Sequence, residues 1–159
     1  MKDELQHANI NPSNKFNVPL VDSDGKGYLK SVSEQVMKLD AALDYKLIEK
    51  LVREIYDAKN IILLGSMQAM NPAVNLQQDM LFCGKVTRVP SMFSLQVSAI
   101  ERARPNDLLI CFSNSGIFFE RLFENQGDLH KLDHLRIWMI TGNENVKKLS
   151  YVNESIIIP

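Results

Sequence analysis

Short apolar runs recur along residues 61–158, each closing on a turn and each separated from the next by residues at helical spacing. This alternation constrains the fold more than any other feature of the chain. Ile61-Ile62-Leu63-Leu64 ends at Gly65. A continuous apolar run bounded by a turn signal fits a strand covered on both faces, as in a parallel sheet. Lys85–Val89, Asp107–Phe112, Leu135–Ile140 and Ser155–Ile158 supply four further strands by the same reading. Asn71-Pro72 opens a helix to about Phe82, with Asn71 as its cap and Pro72 at the first helical position. Further helices are expected from about Met92 to Ala103, from about Ile117 to Glu124, and briefly over Val146–Leu149. Five strands joined by short helical crossovers predict an α/β three-layer sandwich around a five-stranded parallel sheet with right-handed connections.

The sheet region has a helical arm in front of it. Residues 1–28 carry the turn-rich stretches Asn11-Pro12-Ser13-Asn14 and Asp22 to Gly27, and they read as a linker or arm. A short apolar stretch within it, Phe16–Val21, is suited to dock on a neighbouring surface. One helix follows over about Leu29–Leu39, with Val32, Val36 and Leu39 on one face. A second covers about Tyr45–Ala58, with Leu47, Leu51, Ile55 and Ala58 at helical spacing and Asp44 as N-cap. The expected division is an arm over 1–43 and a sheet domain over 44–159. Because doubly wound sheets usually continue into a helix, a further helix or a partner is expected to cover the strand that ends at Pro159.

Composition excludes several functions. The 159 residues carry a formal net charge of −1, so no general basic field exists to hold a nucleic acid. No apolar run approaches the length of a membrane span, and the N-terminus lacks a signal-peptide core, so a cytoplasmic, reducing setting without membrane contact is expected. Cys83 and Cys111 lie in apolar runs without ligand spacing and read as buried small hydrophobes. His130 and His134 stand four apart, but Asp133 and Gly127 interrupt the segment, so they read as solvated loop residues and no metal site is expected. Trp138, between Ile137 and Met139, reads as core. No dinucleotide fingerprint or Walker signature occurs, and no cofactor is expected.

In open α/β sheets, ligands bind beyond the carboxyl ends of the strands, near the point where strand order reverses. Three loops qualify. Ser113-Asn114-Ser115-Gly116, after the third strand, combines hydroxyl donors with a glycine that lets the backbone turn into a helix, an arrangement that favours an anion such as phosphate. Gly65-Ser66-Met67-Gln68-Ala69 follows the first strand and contributes Gly65, Ser66 and Gln68 as candidates. Thr141-Gly142-Asn143 follows the fourth, with Thr141 as its candidate. Glu120, one turn beyond the serine loop, is within reach of a ligand hydroxyl. Glu120 and Glu144 are the only titratable groups available as a proton-shuttling base, so no catalytic residue is assigned.

The succession Ile61–Gly65, Lys85–Val89, Pro105-Asn106-Asp107, Ser113-Asn114-Ser115-Gly116, Ile140-Thr141 and Ser155–Pro159 resembles the sugar isomerase (SIS) domain. More narrowly, it resembles the effector domain of RpiR-type bacterial transcriptional regulators. The resemblance covers about residues 44–159 and includes Ala58-Lys59-Asn60-Ile61 at the end of the leading helix. It implies a flavodoxin-like sheet, and a non-catalytic domain that senses a phosphorylated sugar or amino sugar and assembles as a homodimer or homotetramer. It also implies that DNA is read by a helix-turn-helix domain absent from this chain. Lys2-Asp3-Glu4-Leu5 is similar to the tail of that domain. Ser113, Ser115 and Gly116 match the family's Ser-x-Ser-Gly-x-Thr pattern, whereas its threonine is Phe118 here. Of the family's Gly-x-Gly-Ser-Ser loop only Gly65 remains, with Met67 at the second glycine and Gln68-Ala69 at the serines. A phosphosugar isomerase and a scaffold that has lost its ligand are the alternatives this pattern leaves.

Overall fold

The computed structural model describes residues 27–124 and 129–158. The chain divides into two compact units, Met1–Ala41 and Ala42–Pro159. Of the first, the described part belongs to a single helix, α1 (Tyr28–Ala42). The turn-rich stretches before it, and Phe16–Val21, lie outside the described residues.

The second unit opens with α2 (Tyr45–Asp57) and continues β1 (Ile61–Gly65), a 3-10 turn at Met67–Ala69, α3 (Met70–Phe82), β2 (Thr87–Arg88), α4 (Phe93–Glu101) and β3 (Leu108–Phe112). It ends with α5 (Phe118–Phe123), a 3-10 turn at Leu129–Leu132, β4 (Arg136–Thr141), a second 3-10 stretch at Glu144–Lys148 and β5 (Glu154–Ile157). The five strands are parallel in the order β2-β1-β3-β4-β5. The α/β architecture expected from the sequence is therefore present.

Every residue of β1 and β3 is buried. Alternate side chains enter separate cores, as the strand period requires. Ile62, Leu64, Leu109, Cys111, Ile137 and Met139 pack with Ile100, Phe119 and Leu122 on one face. Ile61, Leu63, Leu108, Ile110, Phe112 and Trp138 pack with Leu51, Ile55 and Ala73 on the other. Three layers follow from that partition.

Polar groups fix how the elements meet. Asp44 caps α2, its Oδ1 accepting from the amides of Lys46 at 3.0 Å and Leu47 at 3.2 Å. At the other end of α2, the Lys85 ammonium donates to the carbonyls of Ala58, at 3.2 Å, and Tyr56. A cation there complements the negative end of the helix. Asp107 is 4 % exposed and accepts from the side chain of Asn60 and the amide of Arg104, which ties the amino ends of β1 and β3 together. The most connected carboxylate is Glu54 on α2. Its Oε2 accepts from the Trp138 indole at 2.7 Å and from Arg136 Nε at 2.9 Å, and its Oε1 accepts from Arg136 at 2.5 Å. Lys50 of the same helix pairs with Glu154 on β5.

Several local expectations are corrected. β2 pairs through Thr87 and Arg88 only, because Lys85 is drawn to α2 and Val86 is exposed. α3 starts at Met70 and has no side-chain cap, so Asn71 does not cap it. α5 is confined to Phe118–Phe123. The Val146 segment is 3-10 rather than α-helical. Cys83 is exposed at the end of α3 and only Cys111 is buried. The expected burial of Trp138 holds, at 0 % exposure. Among the described residues, no helix is long and apolar enough to cross a membrane.

Glu54 carries a measurable consequence. Burial pushes its carboxyl pKa up, but hydrogen bonds from Arg136 and Trp138 and the charge of Arg136 outweigh that and hold it below the usual carboxylate range. A depressed folded-state pKa stabilises above the unfolded carboxylate pKa and is lost as pH falls through the folded value. Glu54→Gln is therefore expected to lower denaturant stability at neutral pH by about 1–3 kcal/mol. The difference from wild type should shrink below about pH 4. Urea titrations across that range measure both.

Candidate functional site

Strand order reverses between β1 and β3, because the crossover after β1 runs to β2 on one side and the return runs to β3 on the other. In open α/β sheets the loops on either side of such a reversal part from one another, and the crevice between them is where ligands are expected. Gly65 and Phe112 are register partners, so the two loops start side by side.

The loop after β3 has its carbonyls held inward. Ser113 continues the ladder, its amide donating to the carbonyl of Ile140 at 3.0 Å. The carbonyl of Ser113 accepts from the amide of Gly116 at 3.2 Å, and the Ser113 hydroxyl accepts from the same amide at 3.1 Å. The carbonyl of Asn114 accepts from the Thr141 hydroxyl at 3.3 Å, and that of Ser115 accepts from Asn143 Nδ2 at 2.8 Å. In a trans peptide, C=O and N–H point in opposite directions. With these carbonyls bound to the protein, the amides of Asn114 and Ser115 face away from it and take no partner among the described residues. The Ser115 hydroxyl adds a third donor on an exposed residue. Such a cluster of main-chain donors suits an anion.

Two residues make this conformation possible. Gly116 has φ +75°, and a Cβ there would lie 2.3 Å from Val146 Cγ1, so only glycine fits. Val146 is 1 % exposed and cannot yield easily. Asn143 bridges the loops after β3 and β4, since its Oδ1 also accepts from the amide of Asn145 at 3.0 Å. Sequence reading assigned Thr141 but not Asn143, whose role depends on two loops distant in sequence lying together. Because α5 has only six residues, its dipole adds little, and the loop's own amides and hydroxyls carry the donor character.

The loop after β1 is different. It folds back tightly, so that a Cβ on Gly65 would meet the Ala69 carbonyl oxygen at 2.7 Å. Met67 sits in the left-handed region at φ +51° with its side chain 90 % exposed. That conformation favours glycine, the residue for which Met67 stands in the resembling pattern. Ser66 is half-buried without a side-chain capping bond, and Gln68 is exposed.

The remaining expectations divide. Glu120 is turned to the core. Its Oε1 accepts from the Tyr151 hydroxyl at 2.5 Å beside Cys111, and its Oε2 is buried without a partner among the described residues. Burial, and then the hydrogen bond to Glu120, push the Tyr151 phenol well above its ordinary pKa. Phe118 is 3 % exposed and packs edge-to-face on Phe119 at 5.2 Å, so its bulk fills the core instead of the cleft. Ile117, rather than Phe118, shows its side chain at the surface. Glu144 is exposed. His130 pairs with Asp133 at 3.1 Å, and no cluster of metal-ligating side chains occurs among the described residues.

No protein-family model matches the chain, and no curated protein does. Solved structures do match its fold. A Vibrio vulnificus NanR protein complexed with ManNAc-6P aligns at a TM-score of 0.65 with 18% identity, over 87% of this chain. This chain spans about half of that protein, 53% of its length. The sugar isomerase domain of an RpiR transcription factor from Sphaerobacter thermophilus aligns at a TM-score of 0.58 with 17% identity, covering 81% of this chain and 73% of that one. A candidate phosphosugar isomerase involved in capsule formation, from Bacteroides fragilis, aligns at a TM-score of 0.58 with 23% identity, covering 83% of this chain and 73% of that one. The fold is therefore that of sugar isomerase domains.

Two substitutions test the loop geometry. Met67→Gly is expected to relieve left-handed strain and raise stability by about 0.5–1 kcal/mol. Gly116→Ala is expected to cost about 2–4 kcal/mol, from φ strain and the collision with Val146. Chemical denaturation of both variants measures the signs and their order.

Proposed function

We propose that this chain, carrying the sugar isomerase fold, is a non-catalytic domain of a bacterial transcriptional regulator that binds a phosphorylated sugar or amino sugar. The observation that carries the reading is the Ser113–Gly116 loop, which presents the amides of Asn114 and Ser115 and the Ser115 hydroxyl beside the strand-order reversal. The phosphate would rest on that loop, with Gly65, Ser66 and Gln68 along the opposite wall and Thr141 and Asn143 holding the loop in place. Complexation of the similar Vibrio vulnificus protein with ManNAc-6P supports a ligand of this class.

Binding is favoured over isomerisation by the state of Glu120, the candidate base next to the serine loop. A base that shuttles a proton between adjacent carbons must reach the ligand. Glu120 is bonded to Tyr151 instead. In the proposed regulator, the ligand acts by favouring one arrangement of a homodimer or homotetramer over another, and DNA is read by a separate helix-turn-helix segment.

Thermal unfolding in the presence of hexose 6-phosphates and pentose 5-phosphates tests the reading. A ligand at ~100 times its dissociation constant adds about 2.7 kcal/mol of stability. The shift is expected to vanish in the Ser113→Ala/Ser115→Ala double variant. Absence of any shift at millimolar sugar phosphate would refute the sensor.

A further inference from the structure

One polar group beside the cleft has no assigned work. Gln96 lies in α4 on the face that also buries Ile100, and it is 2 % exposed. Its Nε2 donates to the carbonyl of Gly65 at 2.9 Å, the last residue of β1. Its Oε1 is buried and takes no hydrogen bond from the described residues. Leaving a buried acceptor unpaired is costly, and a leucine or methionine at this position of an apolar helix face would avoid the cost. The side chain is thus held by one end while its other end is left open to a donor.

The geometry places that open end at the switch point. Both amide atoms sit on one carbon, so Oε1 lies within roughly 5 Å of the Gly65 carbonyl oxygen. Gly65 is the register partner of Phe112, the residue before Ser113. Donors therefore face outward on the β3 side, while an unused acceptor lies buried behind the start of the β1 loop. The anionic oxygens of a phosphate group are served by the donors alone. A phosphorylated sugar also brings hydroxyl groups, each of them a donor.

We infer that Gln96 is a specificity-determining residue of this site, its Oε1 accepting a hydrogen bond from one hydroxyl of the bound sugar. The inference rests on the proposed sugar phosphate site and names the group that tells a sugar phosphate from phosphate. Because Oε1 is closed to solvent, the hydroxyl reaches it when the turn at Met67–Ala69 gives way. That turn hangs from the Gly65 carbonyl that Gln96 holds, and Met67 already sits in a left-handed conformation there. Ligand binding thereby exchanges an unpaired acceptor and a strained turn for a paired acceptor and a displaced turn.

The test compares wild type with Gln96→Met, which keeps length and burial but has no amide. Calorimetric titration uses inorganic phosphate, the best-binding sugar phosphate from a hexose and pentose panel, and its single-deoxy analogues. The expected result is at least a tenfold weaker affinity of Gln96→Met for the sugar phosphate, with the affinity for inorganic phosphate within twofold of wild type. One deoxy analogue should bind wild type about tenfold more weakly than the parent and bind Gln96→Met equally with it. If Gln96→Met loses phosphate and sugar phosphate in the same proportion, Gln96 only supports the β1 loop and the inference fails while the site stands. Unchanged sugar phosphate affinity in Gln96→Met overturns it equally. Wild type that binds neither probe overturns the site reading and the inference together.

Discussion

Complete burial of β1 and β3 is the constraint from which the rest of the molecule follows. A strand covered on both faces can direct its polar main chain only into the ladder or past its own end. The parallel order β2-β1-β3-β4-β5 sends every carboxyl end to one edge of the sheet and parts the loops of β1 and β3 there. Any ligand chemistry at that edge has to be built from loop amides and hydroxyls. The protein's response is specific: it binds the carbonyls of Ser113, Asn114 and Ser115 internally, so that the amides of Asn114 and Ser115 are left for something else. Gly116, pressed against Val146, makes that turn sterically possible.

The two walls of the cleft differ in the same terms. The β3 loop is relaxed and densely bonded, with Thr141 and Asn143 supporting it from β4. The β1 loop is tight, with Met67 in a conformation that costs a non-glycine residue about 1–2 kcal/mol. Strain of that size persists only where the surroundings over-determine it. Here the surroundings are Gly65, pinned by Gln96, and Ala69, whose carbonyl folds back on Gly65. The β3 wall thus keeps main-chain donors in a fixed turn, and the β1 wall holds a strained backbone.

The sequence made the strands legible because a run such as Ile61–Leu64, with no polar residue in it, has few ways to be folded. The serine loop was legible because its position after such a run leaves it nowhere but the carboxyl edge. Lys85 and Val86 were misread, since their pattern suits a strand while the Lys85 ammonium is better used at the carbonyl end of α2. Glu120 was placed toward a ligand because periodicity gives a helix's face and not its rotation. The short α5 turns Phe118 into the core and Glu120 toward Tyr151. Asn143 was beyond reach, because no local pattern reports a bond to a carbonyl 28 positions away. Gln96 did leave a signal, a lone amide at helical spacing from Ile100, and its importance emerged once Gly65 was seen at its end.

Glu120 and Gln96 complete the contrast between holding a ligand and reacting with it. Both side chains sit beside the loops, and both have one buried oxygen without a partner among the described residues. Glu120 accepts from the Tyr151 phenol and lies near the Cys111 thiol, so its carboxylate is engaged within the protein. Gln96 is buried against the last residue of β1 and cannot exchange a proton at all, because an amide only donates and accepts hydrogen bonds. Glu120 is thus engaged by Tyr151 within the protein, whereas Gln96 offers only hydrogen-bonding capacity. At the start of the β1 loop, the Gly65 carbonyl held by Gln96 and the left-handed Met67 bring a buried amide and a strained turn together, which sets this loop apart from the relaxed loop after β3.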